Sequence, residues 1–146
     1  MSAVRPPGPR PRGRQTESDL AFRWPLRGKL SSRYGWRRGR THEGIDIAAP
    51  SGTRIHAAES GRVTHSGSLA GYGRVVILKH SGRYSTVYAH NRKNLVRKGA
   101  FVERGDVIAQ VGNTGNARGT HLHFEVRRNR VAQDPIRYLP RARAKR

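Results

Sequence analysis

The chain has 146 residues, 34% of them apolar, which suits one small domain and leaves no material for a second core. Lysine and arginine outnumber aspartate and glutamate by 30 to 9, a formal charge of +21, so an anionic partner is expected, although charge alone reports its sign and little of its chemistry. The absence of cysteine excludes disulfides and thiolate metal sites, leaving imidazole and carboxylate as metal donors.

Residues 1–20, rich in proline, arginine and glycine, cannot bury enough surface to offset their ordering entropy and are read as a disordered arm or linker remnant. The opening "MSAVRPPGPRPRGRQTESD" lacks the apolar stretch of a secretory signal, so the sequence as written predicts no export. No apolar run approaches the roughly 20 residues that span a bilayer, so no transmembrane segment is expected. Residues 21–140 carry the domain, with apolar residues clustered from Phe22 to Leu139, and the closing "RARAKR", 141–146, is a basic tail.

Within the domain, short apolar runs alternate with glycine-bearing turns, which predicts a mainly β fold: an antiparallel sheet of sandwich or barrel character with few short helices. The expected strands are "TRIHAA", "GRVTHSG", "GRVVILKHS", "YSTVYAH", "AFVERGDVIAQVG" and "HLHFEVRRN". "AGYG" at 70–73 and "SGR" at 81–83 read as hairpin turns, where glycine supplies positive φ at little cost. "RKNLVRKG" is a candidate for one helical turn, and the V-x-x-G-x-x-I phrasing from Val102 to Ile108 hints at a small barrel-like turn.

Two segments concentrate chemistry. In "GTHLHFEV", an extended chain puts His121, His123 and Glu125 on one side and Leu122, Phe124 and Val126 on the other. The apolar side packs, and the histidine side must face something else. Upstream, "THEGIDIAAP" alternates His42, Gly44 and Asp46 with Glu43, Ile45 and Ile47. In a straight strand the α-carbons of His42 and Asp46 stand about 13 Å apart, too far to share an ion held at about 2.0–2.2 Å. The segment must therefore bend, and Gly44 is the natural bending point.

A catalytic zinc takes three protein ligands and keeps a position for water. One of His121 and His123 is then a ligand beside His42 and Asp46, the other a neighbour of the water, and the spacing leaves the choice open. His90, ending "STVYAH", is a second candidate neighbour. His56, His65 and His80 have no partner motif and read as ordinary strand or turn residues. Tyr34 and Tyr72, each beside a glycine, could border a groove, with packing the default role.

These blocks resemble the M23 peptidases, the lysostaphin-like and LytM-like zinc endopeptidases that cut peptide bonds in bacterial peptidoglycan. The resemblance runs from about Leu30 to Leu139 through "SRYG", "HEGIDIAAPSGT", "AAESGRV", "GYGRVVILKHSGRYSTVYAHN", "VERGDVIAQVGNTG", "GTHLHFEV" and "DPIRYL". It implies an antiparallel sheet with a substrate groove, and one Zn²⁺ per chain held by His42, Asp46 and His123. It also implies that His90 and His121 hold or deprotonate the attacking water.

The expected partners are the peptide cross-bridges of peptidoglycan and anionic wall or envelope polymers, and the expected location is the cell envelope. Asn91 departs from the leucine that often follows "YAH" in the family. Degenerate relatives that have lost ligands act as envelope-binding or amidase-activating modules of the same fold; here all five positions are intact, which favours an active enzyme. Nucleic acid would explain the charge but not the histidines, and no RNA- or DNA-binding fingerprint occurs. A sugar-phosphotransfer carrier shares the turn phrasing but lacks a reason for the His42–Asp46 pair.

Overall fold

The structure, a computed structural model, describes residues 16–37, 39–115, 117 and 119–141. Most of the expected arm and all but the first residue of the expected basic tail lie outside the described residues. Residues 16–19 open the described chain as a 3₁₀ turn, Glu17–Asp19, in which the Thr16 backbone N–H donates to Asp19. The Glu17 carboxylate accepts from the Arg83 backbone N–H at 2.6 Å, and Leu20 packs against the core.

From Lys29 onward the chain is mostly strand. The first six are β1 (Lys29–Ser32), β2 (Gly35–Arg37), β3 (Arg40–His42), β4 (Ile45–Ala48), β5 (Arg54–His56) and β6 (Gly61–Leu69). Then come β7 (Gly73–Lys79), β8 (Tyr84–Asn94), β9 (Phe101–Val102), β10 (Val107–Val111), β11 (His121–Arg128) and β12 (Val131–Gln133). Every pairing among these strands is antiparallel. Ten strands form one sheet with the path β1-β4-β11-β8-β7-β6-β9; β10 bridges β5 and β8, β12 flanks β11, and β2–β3 form a separate ribbon. The path does not close on itself, so the barrel alternative gives way to an open antiparallel sheet.

Both predicted hairpin turns lie between strands, 70–72 joining β6 to β7 and 80–83 joining β7 to β8. Other expectations need correction. "RKNLVRKG" contains no helical turn: Arg92–Asn94 extends β8, and the chain turns only at 98–99. The long run from Ala100 to Gly112 is two strands, because the Asp106 carboxylate accepts from the Glu103 backbone N–H at 2.9 Å and Gly105 takes a φ of +93°. That turn breaks the strand where hydrophobicity alone suggested continuity.

Alternation decides what each face does. Ile45 and Ile47 of β4, Leu122, Phe124 and Val126 of β11, and Tyr88 of β8 are essentially fully buried in one core, which Phe22, Trp24 and Leu26 close from the N-terminal side. The opposite face carries a smaller apolar cluster, Val75, Val87 and Ala89, against which Tyr72 packs. Above that smaller cluster the histidines collect.

Candidate functional site

Register builds the site. His123 of β11 lies directly opposite Asp46 of β4 on one side and Ala89 of β8 on the other, and His121 lies opposite Ala48. Cross-strand partners put their β-carbons about 4.5–5.5 Å apart on the same face. Asp46 and His123 are therefore neighbours by pairing alone, with His123 Nδ1 2.9 Å from Asp46 Oδ1.

His42 arrives by a bend. β3 ends at His42 and β4 begins at Ile45, with Gly44 between them. The glycine does not take a positive φ; its role is close approach. A β-carbon there would collide with the carbonyl oxygen of Phe124, and would sit 2.9 Å from Glu125 Cγ and 3.1 Å from His123 Cε1. With no side chain in the way, the link lies flat on β11 and places His42 Nε2 3.4 Å from Asp46 Oδ1.

His90 arrives by a bulge. In β8, Ala89 pairs with Val75 but Asn91 pairs with Arg74, so His90 is the extra residue, and its φ is +67°. Strict alternation would put it on the core face with Tyr88. A bulge re-aims a side chain, and here the imidazole comes to the site face, 5.0 Å from the His121 ring and 5.9 Å from the His123 ring. All five predicted residues line one groove of about 710 Å³, with Ser31, Ser32, Thr41, Glu43, Tyr72 and Glu125 among its other walls.

Backbone carbonyls fix the imidazole tautomers. Nδ1 of His42 donates to the Arg33 carbonyl at 2.9 Å, Nδ1 of His90 to the Thr114 carbonyl at 2.7 Å, and Nδ1 of His121 to the Gly119 carbonyl at 3.2 Å. A carbonyl accepts only, so each of these rings turns Nε2 inward with its lone pair free when neutral. His123 is reversed: its Nε2 faces Glu125 Oε2 at 2.8 Å and its Nδ1 faces Asp46. His121 Nε2 also stands 3.6 Å from Asp46 Oδ1.

The charges respond to this crowding. Burial opposes ionisation of Asp46, and its hydrogen bonds to His123 and His42 more than offset that, holding the carboxyl below the usual range. Burial likewise opposes a charged His123, yet Asp46 and Glu125 push it up to about 9. The Asp46 hydrogen bond raises His42, while burial lowers His90 against the pull of the Thr114 carbonyl.

The donor set fits a zinc ion. One ligand atom each from His42, Asp46 and His123 lies within 4.8 Å of the others. Donors about 2.0–2.2 Å from a tetrahedral ion stand roughly 3.4 Å apart, close to the 3.4 Å and 2.9 Å separations that Asp46 makes with His42 and His123. Two imidazoles and a carboxylate suit zinc, and three protein donors leave a fourth position.

Residues 40–135 match peptidase family M23. The chain belongs to that family. It is 46% identical over 119 residues to "Lipoprotein NlpD/LppB homolog" of Pseudomonas aeruginosa, covering 81% of this chain and 39% of that protein. It is 43% identical over 120 residues to "Murein hydrolase activator NlpD" of Escherichia coli, covering 82% of this chain and 31% of that protein. The chain thus spans well under half the length of these curated relatives. Among solved structures, it superposes on a zinc-containing peptidase from Vibrio cholerae with a TM-score of 0.74 at 33% identity, covering 79% of this chain and 39% of that one.

The groove also holds contacts that sequence reasoning did not assign. Glu125, 1% exposed, accepts from Tyr72 at 2.7 Å and from Arg127 Nε at 2.6 Å, and Arg127 reaches Glu43 at 2.7 Å. The signal was present for Glu125, which alternation places beside the histidines, and Tyr72, expected beside a groove from its neighbouring glycine, does line it; no local signal pairs it with Glu125. Tyr34 is a packing residue, donating to the Ala132 carbonyl at 3.1 Å. His80, unremarkable in the sequence, is buried, with Nδ1 2.7 Å from the Ser60 carbonyl and Nε2 2.7 Å from Thr86 Oγ1.

Proposed function

We propose that the domain is a zinc-dependent endopeptidase that cuts peptide cross-links of bacterial peptidoglycan, with His42, Asp46 and His123 holding one Zn²⁺ and His90 and His121 serving the attacking water. The observation that carries this reading is the convergence of those three donors within 4.8 Å beside two further imidazoles. Zinc bound there would polarise the scissile carbonyl and bring the pKa of water to about 7.

The chain's own contributions come from the tautomers. His90 Nε2 and His121 Nε2, each backed by a carbonyl on Nδ1, can accept a proton from water and return it to the departing amine. Burial favours the neutral, proton-accepting form of His90. An open groove lined by Ser31, Ser32, Thr41 and Tyr72 offers room and polar edges for an extended peptide. The net charge of +21 would draw the protein to anionic wall or envelope polymers, and the lipoprotein and murein-related names of the relatives support work at the cell envelope.

A second reading has its own support. The Escherichia coli relative is named a murein hydrolase activator, which speaks for a non-catalytic module that binds the envelope or activates an amidase. The relatives' names favour this reading, and the donor set favours the first. Incubating zinc-loaded protein with purified peptidoglycan, and identifying released fragments by mass spectrometry, separates them. Peptidase action predicts newly freed peptide termini that disappear with a chelator and in Asp46→Ala. No release, together with equal stimulation of an added amidase by the parent and Asp46→Ala, would replace it with the activator.

A further inference from the structure

Behind His123 runs a chain of charged side chains that the proposed reaction does not use. His123 Nε2 donates to Glu125 Oε2 at 2.8 Å, and the other oxygen of Glu125 accepts from Arg127 Nε at 2.6 Å. The same guanidinium donates through Nη2 to Glu43 at 2.7 Å and through Nη1 to the Arg130 carbonyl at 2.8 Å. Residues 123, 125 and 127 alternate onto one face of β11, while Glu43 adjoins His42 on the other ligand-bearing segment.

Each link has a physical reason. A carboxylate buried as deeply as Glu125 requires charge and hydrogen-bond compensation, and Arg127 and Tyr72 supply it. A carboxylate on the outer nitrogen of a ligating histidine fixes the ring's tautomer and orientation; in this site it turns Nδ1 toward Asp46. Arginine presents several donors in one rigid plane, so a single side chain can hold two carboxylates at a set separation, which a lysine ammonium cannot reproduce. The Glu43 arm therefore ties the His42 segment to β11.

We infer that Arg127 is a positioning residue of the metal site: through Glu125 it orients His123, through Glu43 it steadies His42, and together these set how tightly zinc is held. The inference rests on the reading that His42, Asp46 and His123 bind zinc, but not on what the domain cleaves.

The test measures zinc affinity by competition with a chromophoric chelator, and the visible spectrum of the Co²⁺ form, for Arg127→Met, Arg127→Lys and Glu43→Gln. Circular dichroism and metal-free melting report whether each variant is folded. Arg127→Met should weaken zinc about 10- to 100-fold and alter the Co²⁺ spectrum, Arg127→Lys should recover part of the loss, and Glu43→Gln should fall between parent and Arg127→Met. A folded Arg127→Met with affinity within about twofold of the parent and an unchanged Co²⁺ spectrum overturns the inference. If Arg127→Met does not fold, unchanged affinity in both Arg127→Lys and Glu43→Gln overturns it instead. A parent that binds zinc but releases no peptide defeats the peptidase reading and leaves this one standing; a parent that binds no zinc defeats both.

Discussion

At the residue scale, the two kinds of histidine should separate experimentally. His123 and His42 present nitrogens to Asp46 at 2.9 and 3.4 Å, whereas His90 sits beyond them, within ring contact of His121 and His123. His123→Ala and Asp46→Ala are expected to lose zinc in metal analysis and to abolish peptidoglycan hydrolysis. His90→Ala and His121→Ala should keep stoichiometric zinc while turnover falls by about 10²–10⁴, the usual contribution of a positioned acid or base. Zinc loss in the second pair, or its retention in the first, would reverse the assignments. Much of this arrangement is legible in the sequence, since period-two alternation sorts His121, His123 and Glu125 from Leu122, Phe124 and Val126, and the latter three are fully buried. What alternation does not supply is which nitrogen each ring turns into the groove. That is set by the Arg33, Thr114 and Gly119 carbonyls for His42, His90 and His121 and by Glu125 for His123, the first two of these partners lying outside the local strand pattern.

At the scale of elements, the site depends on two local departures from regular strands. One is the Gly44 link, whose contact with the Phe124 backbone leaves no space for a methyl group. Gly44→Ala should lift that link from β11, destabilise the fold by about 1–3 kcal/mol as over-packing does, and weaken metal binding in the same variant. Chemical denaturation and chelator competition read the two effects; an alanine variant with parental stability and affinity would remove the close-approach argument. The bend itself is expected from the roughly 13 Å separation of a straight strand, but glycine is needed there for lack of space and not for unusual dihedrals. The other departure is the His90 bulge. No sequence signal marks it, because an extra residue is defined only against its partner strand, and β7 supplies that partner from outside the local window. The same limitation hides β1, β2, β3 and β12, short strands whose order depends on neighbours rather than on their own hydrophobicity.

For the whole molecule, stability and surface charge give separate expectations. His80 is buried where β7 meets the turn into β8, and burial pushes its pKa down to about 4, only partly opposed by the Ser60 carbonyl. Unfolded, the same imidazole titrates near 6.5, so between about pH 6.5 and pH 4 the unfolded chain binds a proton that the folded chain refuses. The linked stability is complete above 6.5 and is lost as pH falls toward 4, by roughly 3 kcal/mol in all. Melting temperatures from pH 7 to 4.5 should therefore drop more steeply in the parent than in His80→Gln, which removes the titrating ring; parallel curves would show that His80 contributes nothing to the slope. The +21 charge predicts that association with peptidoglycan sacculi weakens severalfold between low and molar salt, as sedimentation would measure, because exposed charges are screened over a Debye length of about 3 Å at 1 M.

The pairing of Asp46 with His123 across β4 and β11 has an evolutionary corollary. Asp46 and His123 each share a strand with buried apolar residues facing the other way, Ile45 and Ile47 in β4, Leu122 and Phe124 in β11, so the polar face can change while the packing beneath it stays. Such a scaffold can shed its chemistry and survive as a docking piece, or regain it, and lineages of both kinds can descend from one ancestor with the same ladder of strands.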